Sequence, residues 1–295
     1  MAKTYVDKII LVVGATGMLG EPVARQLAAD GYSVRVLTTN PAKAKQKFDK
    51  PFEIIQGDVE KPATLESALA GCYGVHINLN GGPTPESYDR IEHKGTAAVA
   101  FAAIKFGIER ITYISGASVR RENRHFYGTD AKFQAEAAIQ DCGLAYTIFR
   151  PSWFMESLPL FVRNGRASTI GKQPHPVHWV AAADYARMVS KAYQTPAAED
   201  KILYVYGPQA IPILEALKTY CAIAQPDVKV SSTPVWLVKL MATITGNALL
   251  KDVANLMAYY ENIVEDSDPS EANQLLGAPS TTLQQWSKAQ VAGSG

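Results

Sequence analysis

Residues 8–20 read Lys-Ile-Ile-Leu-Val-Val-Gly-Ala-Thr-Gly-Met-Leu-Gly, and this segment is the strongest indication of the fold. A short apolar run ends at three glycines, Gly14, Gly17 and Gly20, and an amphipathic stretch follows through Ala28. The pattern predicts a buried parallel strand, a tight turn and the start of a helix. Such a turn directs free backbone N–H groups and the positive helix end at a phosphate. In this setting the glycines predict a dinucleotide site, and the alternative is an ordinary surface turn.

Each glycine has its own predicted role. Gly14 permits the turn, Gly17 lets a pyrophosphate approach the backbone, and Gly20 lets the helix pack closely on the strand. We place the intervening loop residues in the same predicted cofactor site: Thr16, Met18 and Leu19.

Composition narrows the class of protein. The 295 residues carry a net charge of +1, which gives no reason to expect a nucleic acid or an anionic membrane as partner. The first strand begins within eight residues, leaving no room for a targeting peptide, and the longest apolar stretch, 235–250, is too short and polar to span a bilayer. Three scattered cysteines form no disulfide framework and no metal spacing. We expect a cytosolic, metal-free protein, either a monomer or a homodimer.

The first half of the chain alternates strand and helix patterns. Strands are predicted at 9–13, 33–37, 53–56, 74–78, 110–115 and 145–149, with helices near 18–30, 41–48, 62–70, 86–106 and 130–142. This alternation predicts an α/β fold, a Rossmann-like doubly wound parallel sheet with ligands at the carboxyl ends of its strands. Residues 1–150 would form this cofactor domain.

The regular alternation of strand and helix patterns ends after residue 150. Residues 151–176 look irregular and would lie over the site. A helix near 184–194 with Asp184 as N-cap, a strand at 202–205 and helices near 211–224, 235–248, 250–262 and 281–291 follow. Residues 151–295 would therefore form a smaller, mostly helical lobe that returns some elements to the Rossmann core.

The end of the second predicted strand distinguishes the two nicotinamide cofactors. A carboxylate there would bind the ribose 2′-hydroxyl and repel a 2′-phosphate, but the sequence offers Thr38, Thr39, Asn40 and Lys43. This favours NADP, with NAD possible. The lysines of this segment, Lys43, Lys45 and Lys47, are equally typical of a solvated helix face. Two residues after the third strand complete this part of the site. Asp58 would accept from the adenine amino group or cap the next turn, and Val59 adjoins it.

Several segments occur in an order that resembles a known superfamily. They are the glycine loop, Gly-Asp-Val at 57–59, Ile-Thr-Tyr-Ile-Ser at 111–115 and Leu-Ala-Tyr-Thr-Ile-Phe-Arg-Pro at 144–151. Over residues 8–215 the chain is similar to the extended, atypical short-chain dehydrogenase/reductases, most of all to the NmrA-like and isoflavone-reductase-like branch. The resemblance implies a Rossmann fold that binds NAD(P), with the nicotinamide near the fifth and sixth strands.

The resemblance also implies a lysine at Lys132, where it would anchor the nicotinamide ribose. Most of the superfamily has a tyrosine four residues earlier, but this chain has Gly128 there, and Tyr127 is five residues before the lysine. If the helix begins only at Thr129 or Asp130, Tyr127 would sit in the preceding loop and still reach the site. In reductases of this branch the lysine itself is the acid or base. A helix start and a cationic nicotinamide would lower its pKa to suit that role.

Other candidates lie at strand ends. Ser115 and Ser118 would meet the substrate oxygen or the nicotinamide, although serine is also common in turns. Asn80 and Gly81 follow the fourth strand in the predicted cofactor site. After the sixth strand, Pro151, Trp153 and Phe154 would line the nicotinamide pocket or belong to the core.

These observations predict an NADP-preferring oxidoreductase that reduces a carbonyl, an enone or an aromatic-bearing small molecule, with Lys132 at its centre. The alternative is a non-catalytic NAD(P)-binding sensor or assembly protein, which the missing tyrosine spacing favours. A sugar-nucleotide epimerase ranks lower, because it usually requires that tyrosine.

Overall fold

A computed structural model describes residues 5–292. Twelve strands are present in this range: β1 Tyr5–Val13, β2 Tyr32–Thr38, β3 Glu53–Gln56, β4 Gly74–Ile77, β5 Arg110–Ile114, β6 Ala145–Pro151, β7 Val162–Arg163, β8 Arg166–Ile170, β9 Val177–His178, β10 Lys201–Val205, β11 Ala210–Ile211 and β12 Lys229–Thr233. The helices are α1 Gly20–Ala29, α2 Pro41–Lys47, α3 Leu65–Leu69, α4 Pro85–Ser87, α5 Thr96–Lys105, α6 Tyr127–Asp141, α7 Ala182–Ala192, α8 Ile213–Ala224, α9 Val235–Thr245, α10 Ala248–Tyr260, α11 Ser270–Leu276 and α12 Leu283–Ala292.

Seven strands form one sheet in the order β10-β6-β5-β4-β1-β2-β3. All the neighbouring pairs in this sheet are parallel. Apolar side chains on both faces of the sheet are buried under helices, as is usual for a parallel sheet. The strand order reverses between β1 and β4, so the carboxyl ends of these strands open a crevice. The predicted doubly wound Rossmann-like fold is confirmed.

The glycine loop between β1 and α1 depends on the missing side chains. Gly14 has a φ of +79°, and a Cβ atom there would lie 1.8 Å from the carbonyl oxygen of Asn78. A Cβ atom on Gly20 would lie 2.2 Å from the carbonyl oxygen of Gly14. These distances are far shorter than van der Waals contact, so both positions require glycine for the chain to pack this closely.

Three helix boundaries differ from the sequence prediction. The prediction that a helix begins at Thr129 or Asp130 is wrong, because α6 begins at Tyr127 and its first turn closes from Asp130 N–H to Phe126 C=O at 2.9 Å. Asp184 is not an N-cap, since α7 begins at Ala182 and the Asp184 carboxylate accepts from two backbone N–H groups near residue 280. The predicted helix over 86–106 is divided: α4 and α5 flank a π-helical segment, Tyr88–Gly95.

The second half of the chain contributes to both parts of the molecule. Strand β10 extends the large sheet beside β6, and α7 packs against α1. The smaller lobe that the sequence predicts is formed by α8, α9, α10 and α12. Helix α11, which the sequence pattern did not indicate, packs instead against β10 and α7. This lobe also contains a three-stranded sheet, β12-β8-β7, which the sequence pattern did not indicate. Residues 151–176 are more regular than expected, because they include β7 and β8. The domain boundary at residue 150 stays a prediction.

Within residues 5–292 no helix is long and apolar enough to cross a membrane. The same range contains no group of three His, Cys, Asp or Glu side chains that could hold a metal ion. Cys72, Cys142 and Cys221 are free and buried.

Candidate functional site

A cleft of about 400 Å³ lies at the carboxyl ends of β1, β4, β5 and β6. The glycine loop forms one end of it, α6 and the π-helical segment form a side, and α10 from the smaller lobe covers it. Its volume is in the range of ordinary ligand pockets. The cleft therefore occupies the place where open α/β sheets bind their ligands.

The glycine loop end of the cleft suits a phosphate. Gly14, Gly17, Met18 and Leu19 all line it, and no side chain in the described range caps the first turn of α1 at Leu19. The N–H groups of a helix start that lacks such a cap remain available to an anion. The residues present therefore fit the pyrophosphate of a dinucleotide.

Lys132 extends from α6 into the cleft and pairs with a residue that the sequence reading missed. Its Nζ lies 2.5 Å from Oε1 of Glu92, in the π-helical segment, and its ammonium also faces the carbonyl oxygen of Ile114 at 3.4 Å. Glu92 is 1 % exposed. Burial raises the pKa of this carboxyl group, and the adjacent Lys132 opposes the rise.

The space where the superfamily has its tyrosine is filled by other rings. A Cβ atom at Gly128 would lie 2.8 Å from the Phe126 ring and 3.3 Å from Cε1 of Tyr88. Tyr88 lines the cleft, and burial raises its pKa above the ordinary range. The described residues that line the cleft do not include Tyr127. Its hydroxyl instead donates to Oδ1 of Asp252 on α10 at 2.5 Å. A part for Tyr127 in catalysis stays a prediction.

The two candidate serines have different environments. Ser115 Oγ donates to the buried carboxylate of Glu136 at 2.5 Å, and Glu136 forms a two-point ion pair with Arg150. This side chain is thus bound to the core, although Ser115 also lines the cleft. Ser118 lies 3.4 Å from the Tyr260 hydroxyl, and both residues line the cleft. Of the two serine hydroxyls, that of Ser118 is the better placed for a ligand.

Aromatic side chains form the wall opposite the sheet. Trp153 packs edge-on to Tyr260, with 4.9 Å between the ring centroids, and Phe126 stacks on Tyr259 at 4.6 Å. The indole Nε1 of Trp153 is buried without a hydrogen-bond partner in the described part of the chain. Burial raises the pKa of both tyrosines, so they remain protonated at neutral pH. The wall suits a flat, uncharged ligand with a polar edge.

A serine, a glutamate and a histidine also meet beside the cleft. Ser152 Oγ donates to Oε1 of Glu265, and His178 contacts Oε2 of the same carboxylate through both its backbone N–H and its Nδ1, each at 2.8 Å. The serine binds the carboxylate rather than the imidazole, so the three residues do not form a hydrolase triad. They instead attach the segment after α10 to the strand ends.

In the region predicted to select NADP, Thr38 is buried and the other residues lie at the surface. Asn40 is the N-cap of α2 and accepts from Lys43 N–H at 3.0 Å, and Thr38 accepts from Asn40 N–H at 3.1 Å. Thr39 and the Lys43 side chain are exposed. Asp58 accepts from the N–H of Glu60 at 3.0 Å, which matches the turn-capping alternative.

The structure brings only part of the predicted site together. The cleft is lined by Gly14, Gly17, Met18, Leu19, Asn80, Ser115, Ser118, Lys132, Pro151, Trp153 and Phe154. The predicted residues outside its lining are Thr16, Gly20, Thr38, Thr39, Asn40, Lys43, Asp58, Val59, Gly81 and Tyr127. Most of these flank the open end of the sheet, where the adenosine half of a dinucleotide would extend, and their roles stay predictions.

Sequence reasoning missed Glu92, Tyr88, Tyr259 and Tyr260. A signal for the first existed, because Glu92 shares a helical stripe with the buried Thr96 and Val99. A carboxylate on a buried stripe needs a partner, and Lys132 was already a candidate. The two tyrosines of α10 gave no comparable signal, since their place over the cleft depends on how the smaller lobe packs.

Comparison with known proteins decides the family. Residues 14–196 match the NAD(P)H-binding family. The chain belongs to that family. The match covers more than half of the chain, and it confirms the NAD(P) cofactor and the resemblance to an NAD(P)-binding superfamily that was drawn from the sequence.

Relatives include both enzymes and assembly proteins. The chain is 26% identical over 298 residues to an NAD(P)H azoreductase of Xenophilus azovorans, covering 97% of this chain and 99% of that one. It is 25% identical over 250 residues to the photosystem II assembly factor Ycf39 of Trieres chinensis, covering 80% and 76%. The NADPH complex of an NADPH-dependent quinone oxidoreductase of Escherichia coli has the same fold, with a TM-score of 0.72, 23% identity and coverage of 95% and 99%.

Proposed function

We propose that this protein is an NADPH-dependent reductase of planar, conjugated carbonyl compounds of the quinone class. The observation that carries the proposal is the ammonium of Lys132 in a cleft walled by Trp153 and Tyr260. Aromatic walls bind a flat ring, and the ammonium can bind and protonate its oxygen. The azoreductase relative supports a reductase function, and the quinone oxidoreductase that shares this fold supports this class of acceptor.

Bound NADPH supplies a hydride, that is, two electrons and one proton. Lys132 supplies the second proton to the acceptor oxygen, which completes the conversion of a quinone to a hydroquinone. The lysine side chain is 22% exposed, so it can recover its proton from water. The aromatic wall excludes water from the other side of the acceptor.

The test of this function is a turnover assay on the full chain. NADPH binding is followed by nicotinamide fluorescence, and NADPH oxidation is then measured with benzoquinones, naphthoquinones, an aliphatic ketone and an aldehyde. We expect saturable oxidation with the quinones and little with the aliphatic compounds. Tight NADPH binding without oxidation of any acceptor would contradict the proposal.

We further propose a preference for NADPH over NADH, which depends on Lys43. Its side chain is exposed at the start of α2 and can pair with a 2′-phosphate. Reversing its charge in Lys43→Glu should raise the NADPH Kd about tenfold, because the carboxylate would repel the 2′-phosphate. This change corresponds to a loss of ~1.4 kcal/mol of binding free energy. The NADH Kd should change little. Lys105→Glu is the control at a distant surface lysine, and equal effects of Lys43→Glu on both cofactors would contradict the assignment.

A second candidate is a non-catalytic, NAD(P)H-responsive assembly protein. It is favoured by the Tyr127–Asp252 hydrogen bond, which holds the tyrosine nearest to Lys132 in sequence away from the cleft. The Ycf39 relative is named as an assembly factor. The turnover assay separates the two functions, because only this candidate predicts binding without oxidation. The cytosolic location and the oligomeric state also stay predictions.

A further inference from the structure

We infer that Glu92 is a positioning residue, which keeps Lys132 protonated and holds its ammonium at the cleft. The carboxylate and ammonium are 2.5 Å apart, and Glu92 is almost fully buried while part of the Lys132 side chain reaches the cleft. A carboxylate at this distance stabilises the charged form of a lysine. The consequence for catalysis rests on the proposed reductase function, but the charge of Lys132 does not.

Among the described residues around Lys132, Glu92 alone can stabilise the charge of its ammonium. From β5, the Tyr113 ring lies 5.6 Å from the lysine Nζ, and from the π-helical segment Tyr88 faces the same carboxylate. Burial raises the pKa of both tyrosines above the ordinary range, so neither is charged at neutral pH. Among residues 5–292, Glu92 is the one acidic side chain that forms an ion pair with Lys132.

The burial of Glu92 destabilises the fold, and the packing of the core does not require it. The second carboxylate oxygen, Oε2, is buried and has no hydrogen-bond partner among the described residues. Buried polar atoms without partners destabilise a fold. The π-helical segment that carries Glu92 is also less regular than the α-helix it interrupts, and such segments are frequent at functional sites. These features are explained if the pair serves the cleft.

In the reaction, Lys132 gives up one proton to the acceptor oxygen and takes one from water. The Glu92 carboxylate, 2.5 Å from Nζ, favours the return of that proton. Without the carboxylate, the neutral amine would predominate at a lower pH and fewer molecules would carry the required ammonium.

The experiment measures how readily Lys132 is acetylated between pH 7 and 11. The full chain, without cofactor or acceptor, is pulsed with isotope-coded acetic anhydride and then cleaved at arginine. Lys132 is the sole lysine between Arg124 and Arg150, so one peptide reports on it. Glu92→Gln should lower the pH of half-maximal labelling by about one to three units. Glu66→Gln, which removes the exposed partner of Lys105, is the control and should leave Lys132 unchanged.

A folded Glu92→Gln variant that labels at Lys132 with the wild-type midpoint would overturn the inference. If that variant does not fold, the wild-type protein decides: its Lys132 should label at or above the midpoint of the exposed Lys105, and a midpoint well below it overturns the inference. Where turnover is found, Glu92→Gln should also shift the alkaline limb of kcat to lower pH and leave KM within about threefold. Absence of turnover would count against the reductase only, because the labelling needs no substrate.

Discussion

Replacing Lys132 with methionine should lower kcat for the quinone acceptor by about 10²–10⁴-fold, the usual contribution of a general acid. Methionine keeps much of the side-chain length but removes the ammonium that lies 2.5 Å from Glu92. The aromatic wall remains, so we expect a much smaller change in KM than in kcat. Steady-state kinetics with NADPH and a naphthoquinone measure both constants.

Two further variants separate chemistry from folding. Lys132→Met leaves the Glu92 carboxylate buried without its partner, which should lower the melting temperature. Adding Glu92→Gln removes that carboxylate, and the double variant should recover stability without recovering turnover. Lys105→Met, at an exposed lysine of α5, should behave as wild type. A folded Lys132→Met protein with kcat within threefold of wild type would remove Lys132 from the mechanism.

Gly17→Ala should raise the NADPH Kd about 10–100-fold, a loss of ~1.4–2.8 kcal/mol. The added Cβ would lie 3.2 Å from the carbonyl oxygen of Gly14, so the loop needs only a small adjustment to accept it. The same methyl group would stand where a pyrophosphate must approach the backbone. We therefore expect a large effect on binding, measured by fluorescence titration, and a melting temperature only a few degrees lower.

Gly14→Ala provides the contrast. Its Cβ would collide with the carbonyl oxygen of Asn78, and its φ of +79° disfavours a side chain, so this variant should fail to fold or unfold well below the wild type. If Gly17→Ala binds NADPH as tightly as wild type, the cofactor does not pass over this loop. If both variants are equally unstable, the loop's effect on binding must instead be tested by a change elsewhere in it.

The sequence could predict the Rossmann half of the molecule because that half is built from local patterns. Five of the six predicted strands begin within one residue of their observed start, since short apolar runs between turn signals are sufficient to define buried parallel strands. The glycine loop was predicted with its geometry, because only glycine fits at Gly14 and Gly20. Lys132 could be named as a candidate because it lies where the resembling superfamily has its lysine, and it lines the cleft in the structure.

The cofactor fold, its glycine loop and the candidate Lys132 could thus be predicted from the sequence, because each depends on residues close together in the chain. Tertiary structure decided the rest of the site. Glu92 meets Lys132 across 40 positions of sequence, and Asp252 meets Tyr127 across 125. Neither pairing has a local pattern, because each arises from how one helix packs against another. The ion pair of Lys132 and the hydrogen bond of Tyr127 to α10 are consequences of that packing.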